Sequence, residues 1–313
     1  MSGRSPGLRV GFSTPPDFWD LSAEVRRSRL ARAADAGFDH VFCADHVSFH
    51  GGHGADGLIH LASMAATEPR LAVEVGVFLL ALRHPMVAAR QIASLAQTAP
   101  GRVTIGVGVG GEDRHEIEVC EIDPTTRGRR TDVAIDLVRR LLAGETVDGD
   151  GEFYRFSAGR IRPRPDPPVP IVVGGRSNAA VRRAGRLGDG WLGTWCSPRR
   201  FAEAVALAEQ EADAAGRTEV TWRHGLQLWV GIGADPDDGR RHVGPAMESF
   251  YRIPFEAFAR YTPAGTPAQV AEQLQPYVEA GARVLNLTPI GTDPDGALEV
   301  AAAIRHELEL PET

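Results

Sequence analysis

The stretch Ala72–Gly111, AVEVGVFLLALRHPMVAARQIASLAQTAPGRVTIGVGVGG, decides the fold. It reads as a strand over 72–80, a junction at Arg83-His84-Pro85, a helix to about Gln97, and a second strand from Val103. Both strands are near-continuous, Val-rich apolar runs, the pattern of parallel strands buried on two faces. A helix between two parallel strands makes a right-handed crossover unit. The second strand runs into Gly106, Gly108, Gly110 and Gly111. Glycines at the carboxyl end of such a strand let a flat ligand approach the backbone.

Working outward, strands starting near Leu8, His40, Ala72 and Val103 are spaced by roughly 31 residues, as successive strand–helix units require. Further strands are expected at Ile171–Val173, Gly190–Trp195, Leu226–Ile232 and Arg283–Pro289, each followed by a helical stretch. Eight such units predict a (β/α)8 TIM barrel, with an open doubly wound sheet as the alternative. The chain is expected to be one domain over 1–313, with insertions at about 47–57, 112–127, 144–168 and 233–262.

Composition narrows the chemistry. Hydrophobic residues make up 43% and charged residues 24%, ordinary for a globular chain with a large core. A net charge of −7 argues against a nucleic-acid partner. No apolar run reaches the roughly 20 residues of a membrane span, and Met1–Gly7 lacks a signal-like apolar segment. Three cysteines without paired spacing fit a reducing cytoplasm. The chain has no lysine, which excludes Schiff-base chemistry, a Walker phosphate loop and a lysine general base.

Five motifs occur in order along the chain: Ala36-Gly37-Phe38-Asp39 with Asp45-His46; Leu82-Arg83-His84-Pro85; Gly101-Arg102 with Gly106-Val107-Gly108-Val109-Gly110; Pro170 with Gly174-Gly175; and Gly188-Asp189-Gly190-Trp191. Together they resemble the bacterial luciferase-like family, from Leu8 to about Leu308. The resemblance implies a TIM-type barrel that binds coenzyme F420 or FMN, usually as a homodimer. Asp-His after the second strand is more similar to the F420-dependent branch. The function implied is hydride transfer between the deazaflavin and a small organic substrate. The alternatives are an FMN-dependent monooxygenase and a non-catalytic flavin-binding protein. Related sugar-phosphate dehydrogenases grip their substrate with lysines, which this chain lacks. The stripe Val87-Ala88-Ala89, Ala93 and Ala96 is a possible dimer seam, or else an ordinary core face.

Candidate site residues follow from position and resemblance. Asp45 and His46 end strand two, on the face where barrel active sites lie, and a histidine there can exchange a proton with substrate. Glu112 is a candidate proton donor. Gly76-Val77 sits inside a buried strand, and the resemblance implies a non-prolyl cis peptide there, behind the cofactor ring. Gly108, Val109, Gly110 and Gly111 are expected to meet the ring or its chain. They do not form a dinucleotide fingerprint, because the motif follows the fourth strand and runs into acidic residues. Val173, Gly174, Gly175, Arg176 and Ser177 lead into a helix and form the best anion site, suited to the cofactor phosphate. Phe12, Phe49, His50 and Trp195 are expected on the substrate side. His46, His50, His53 and His60 match no metal-binding spacing, so no metal is expected.

Overall fold

The computed structural model describes residues 7–111 and 113–308. Eight strands form its centre: β1 (Arg9–Ser13), β2 (His40–Cys43), β3 (Ala72–Phe78), β4 (Val103–Val107), β5 (Ile171–Gly174), β6 (Trp191–Gly193), β7 (Gly225–Ile232) and β8 (Val284–Ile290). They are parallel and adjacent in chain order. β8 returns to β1 with Leu285 opposite Val10, and β6 meets β7 with Gly225 opposite Leu192, so the sheet closes. The result is a (β/α)8 barrel, not an open sheet.

Six of the helices that follow the strands start at a residue whose side chain caps the first turn. α1 (Ala23–Asp35) begins at Ser22, α2 (Gly57–Thr67) at Asp56, and α3 (Pro85–Thr98) at His84. α4 (Arg127–Leu142) follows the fourth strand. α5 (Asn178–Leu187) and α6 (Pro198–Ala214) begin at Ser177 and Ser197. α7 (Pro267–Glu279) carries a full capping box between Thr266 and Gln269, and α8 (Pro294–Glu307) ends the described chain. Side-chain oxygens, or at His84 the ring Nδ1, accept from orphan N–H groups at these caps, and proline at the first turn costs no hydrogen bond.

The outward faces of the strands and the inward faces of the helices make the core. Val10, Phe12, Val75, Ile105 and Leu285 are fully or almost fully buried there. Of the stripe, Ala88, Ala89, Ala93 and Ala96 are buried within one chain and so are not free to meet a partner, whereas Val87 is 56% exposed. Small residues let α3 lie close on the strands beneath it.

The barrel axis is polar at its amino-terminal end. Arg9, His40, Glu74, Thr104 and Arg223 bound a small cavity there. His40 Nε2 lies 2.7 Å from Asn286 Oδ1, and Asn286 Nδ2 donates to Glu74 Oε1 at 2.8 Å. A Cβ at Gly11 would collide with the His40 ring, so that glycine makes room for it.

Four excursions interrupt the repeat. The insertion after β2 is a short hairpin of His46–Phe49 and His53–Ala55. The acidic segment after β4 contains a short helix, Arg114–Glu118. A hairpin pairs Thr146–Asp150 with Arg155–Arg160. After β7 comes the helix Pro236–Tyr251, ended by Arg252 in the left-handed region. No helix among the described residues is long and apolar enough to cross a membrane.

Candidate active site at the carboxyl rim

β2 ends in Asp45-His46, and the two side chains do different work. The Asp45 side chain is fully buried. Its oxygens accept from the Gly57 and Leu79 N–H groups, both at 2.9 Å, and from Arg83 Nη1 and Nη2 at 2.7 and 2.8 Å. A carboxylate gripped by a guanidinium fork and two amides is a fastener. It ties the end of β2 to the start of α2 and to the chain leaving β3. Arg83 also lies over the Phe78 ring, 4.3 Å from its centroid.

His46 faces the other way and keeps 20% side-chain exposure. Its Nδ1 lies 3.2 Å from both oxygens of Glu116, which is buried. Glu116 also accepts from the Val47 and Ser48 N–H groups at 2.7 and 3.2 Å. The carboxylate therefore holds the proton on Nδ1 and leaves Nε2 to meet a ligand. The Phe49 ring stacks on His46 at 4.1 Å and lies tilted against His50 at 3.9 Å. The His50 N–H donates to Asp113 Oδ2 at 2.8 Å, and this bond is the main cause holding the Asp113 carboxyl below its usual range.

The Gly76–Val77 peptide is cis. The Val77 side chain fits a hollow made by three glycines. A Cβ at Gly108 would overlap Val77 Cγ2, and one at Gly174 or Gly106 would come within 2.7 or 3.3 Å of Val77 Cγ1. Gly108 and Gly174 thus serve first to seat Val77. Gln227 Nε2 donates to the Gly76 carbonyl at 3.1 Å. Gly110 and Gly111 have φ of +67° and +124°, which turn the chain off β4 in a way that favours glycine. Val109 between these glycines is half-buried.

Gly175 (φ +133°) leads from β5 to α5, and a Cβ there would come within 2.8 Å of Ala180 Cβ. Ser177 caps the helix by accepting from Ala180 N–H at 3.3 Å. Arg176 and Ser177 are exposed, and the Arg200 guanidinium joins them by donating to Asn178 Oδ1 at 2.6 Å. Unpaired amides, the positive end of the helix dipole and two arginines fit a phosphate.

Arg176 lies over the Trp195 ring, 5.0 Å from its centroid, and Trp195 has φ +48°. From Trp195 a run of aromatic side chains crosses the rim. Tyr251 stands edge-on to Trp195 at 4.8 Å, Trp229 Nε1 donates to Tyr251 Oη at 3.0 Å, and Phe250 lies between Trp229 at 5.7 Å and Phe49 at 5.9 Å. The excursion after β7 thereby meets the hairpin after β2.

The structure brings His46, Phe49 and His50 together, gathers Gly76, Val77, Gly108 and Gly174, and sets Arg176 beside Trp195. It does not bring Phe12 to the rim: its ring packs on Phe38 at 4.9 Å in the helix-facing core. Ser13, whose Oγ donates to Thr288 Oγ1 at 3.0 Å, is the polar residue ending β1. Val173 is likewise buried, close to Gly188 at the end of α5. Glu112 lies outside the described residues. Cys196 is buried, which pushes its thiol up to about 11. His60 stacks on Trp19 at 3.7 Å, and no cluster suited to a metal occurs among the described residues.

Sequence reasoning missed Glu116, Arg83, Arg200 and the aromatic run through Phe250. For Glu116 a signal existed: Asp113-x-x-Glu116 has helix-start spacing, and Asp113 does cap that helix by accepting from His115 N–H. Its glutamate reaches across to His46 instead of back to the cap.

A closed parallel barrel with its polar and aromatic groups gathered at the carboxyl rim belongs to the TIM-barrel class of ligand-binding scaffolds. More narrowly, the chain belongs to the luciferase-like monooxygenase family, which it matches over residues 20–262. It is 35% identical to an F420-dependent glucose-6-phosphate dehydrogenase of Nakamurella multipartita, over 92% of each chain. It is 36% identical to the enzyme of that name from Beutenbergia cavernae, over 74% of this chain and 70% of that one. An F420-dependent secondary alcohol dehydrogenase in complex with an F420-acetone adduct superposes with a TM-score of 0.83 at 18% identity, covering 97% of this chain and 99% of that one. The FMN-bound oxygenating constituent of 3,6-diketocamphane monooxygenase from Pseudomonas putida superposes at 0.76 with 17% identity, covering 98% and 100%. At such identities the two structures speak for the fold alone.

Proposed function

We propose that this chain is a coenzyme F420-dependent oxidoreductase that moves a hydride between the deazaflavin and a small organic substrate. Full-length similarity to an F420-dependent dehydrogenase carries the reading. The rim supports it: a phosphate-sized anion site opens α5, and Val77 with its glycine hollow offers an apolar surface to a flat ring.

When bound, the deazaflavin supplies the hydride donor or acceptor carbon. The chain's residues supply the rest. Asp45, through Arg83, fixes the rim. Glu116 holds Nδ1 of His46, so that Nε2 takes the proton of a substrate hydroxyl or, in the reverse direction, delivers one to a carbonyl oxygen. Phe49, Trp229, Phe250 and Tyr251 exclude water and favour a substrate with an apolar body over a sugar phosphate.

Residues 1–313 act as one functional unit in this reading, in the cytoplasm and as a homodimer. Val25, Ile59 and Val87, exposed by 42%, 66% and 56% on the neighbouring helices α1, α2 and α3, suit a partner copy better than the buried alanines do. Ile59→Arg would then give a monomer in sedimentation.

Titration of the purified chain with F420 and separately with FMN, followed by absorbance, tests the cofactor. F420 binding with hydride transfer to or from an alcohol–ketone pair is expected. FMN binding alone, with oxygen consumption in the presence of a flavin reductase, would replace this reading with the monooxygenase one. Retained F420 binding and unchanged turnover in His46→Gln would remove His46 from the chemistry.

A further inference from the structure

A second cavity, of about 240 Å³, lies behind Trp195, between the outer face of β7, the start of α6, α7 and the excursion Pro236–Tyr261. It is distinct from the rim: Leu226 and Leu228, which line it, point away from the barrel interior into the core that includes α7. A cavity of about 150 Å³ already accepts benzene, so the volume here is sufficient for a single ring.

The wall has two characters. One side is apolar, made of Leu226, Leu228, Trp195 and the ring of Tyr277, while polar atoms make up rather more of the whole lining. Its polar groups are mostly spent within the chain. Tyr277 Oη donates to the Cys196 carbonyl at 2.7 Å, and Thr262 Oγ1 to the Phe258 carbonyl at 3.1 Å. Gln273 Nε2 donates to the Ala264 and Gln269 carbonyls at 2.9 and 2.7 Å. Two guanidiniums remain at the opening. Arg260 lies over the Tyr261 ring at 4.5 Å, with no ion pair among the described residues. Among the described residues Arg240 pairs with Asp237, one turn away and 84% exposed, a contact of little strength. No carboxylate among the described residues lines the cavity. Trp195 is held with φ +48°, a costly conformation for a bulky residue, and its ring divides this cavity from Arg176.

The geometry points to a second small-molecule site that takes a monocarboxylate with an aromatic body: the ring enters against Trp195 and Tyr277, and the carboxylate stays at the opening between Arg240 and Arg260. The site does not depend on the cofactor assigned to the rim. Arginine at the mouth of a mixed cavity with one apolar side selects an anion by charge and a flat ring by contact.

Calorimetric titration of the whole chain with phenylacetate, and with neutral phenylacetamide of the same shape, tests this. Phenylacetate is expected to bind one per chain, with the amide at least tenfold weaker. Arg240→Gln and Arg260→Gln, both exposed, should each weaken binding several-fold, and Ala259→Trp, at the opening, should block it. Arg176→Gln, at the start of α5, should leave it unchanged. No heat with phenylacetate at 10 mM, equal affinity for acid and amide, or binding unaffected by both arginine substitutions would each overturn the proposal. Loss of binding in Arg176→Gln alone would place the anion at α5 and overturn it as well.

Discussion

Asp45→Asn is the perturbation on which the account of the rim stands or falls. The Asp45 side chain has no solvent exposure and accepts four hydrogen bonds, two of them from Arg83, itself only 16% exposed. Removing one partner of a buried pair costs about 3–5 kcal/mol, because the other charge is left desolvated. Arg83 keeps a weaker partner in Asp56, 3.5 Å away and one-third exposed, so the lower end applies, about 3 kcal/mol. At about 2–4 °C per kcal/mol for a large domain, that lowers Tm by about 6–12 °C. Calorimetry on Asp45→Asn, Arg83→Met and the double variant measures it. The double variant should lose less than the sum of the singles, since each single leaves the other group unpaired. A Tm within about 1 °C of the parent for Asp45→Asn, or strict additivity, would show that the fork carries no stability and that Asp45 is free for another role.

Three further outcomes are expected. Gly108→Ala would drive a Cβ into Val77 Cγ2 and cost about 1–3 kcal/mol by urea denaturation, with partial recovery in the Gly108→Ala/Val77→Ala pair. Glu116→Gln would lower turnover about 10-fold or more and alter the pH–rate profile, because the amide no longer fixes the His46 proton, while F420 affinity changes little. The pH dependence of stability has two opposed parts. Burial pushes His40 and His224 from 6.5 down to about 4, so the unfolded chain takes protons that the folded chain refuses, and stability falls as pH drops through that window. Burial raises Glu74 from 4.5 to about 7, so the folded chain holds a proton the unfolded chain gives up, and stability falls as pH rises through that window. Glu74→Gln should therefore gain urea resistance, relative to the parent, on going from pH 5 to pH 7.5.

The sequence by itself determined the barrel. Apolar strands such as Val103–Val107 must be buried on both faces, and caps such as Ser177 and Thr266 fix where helices start; both are local signals, readable along the chain. It also brought the reading to β2's end, because Asp45-His46 occupies a rim position in any such barrel. What these residues do was decided by partners distant in the chain. Asp45 is a fastener because Arg83 lies 38 residues away, and His46 has a fixed proton because Glu116 lies 70 away. Gly108 and Gly174 are explained by Val77, and Phe12 is turned to the helices by strand pleating, whose phase the composition of β1 does not reveal. Periodicity tells which face of an element is buried, but only closure of the chain tells what meets it there.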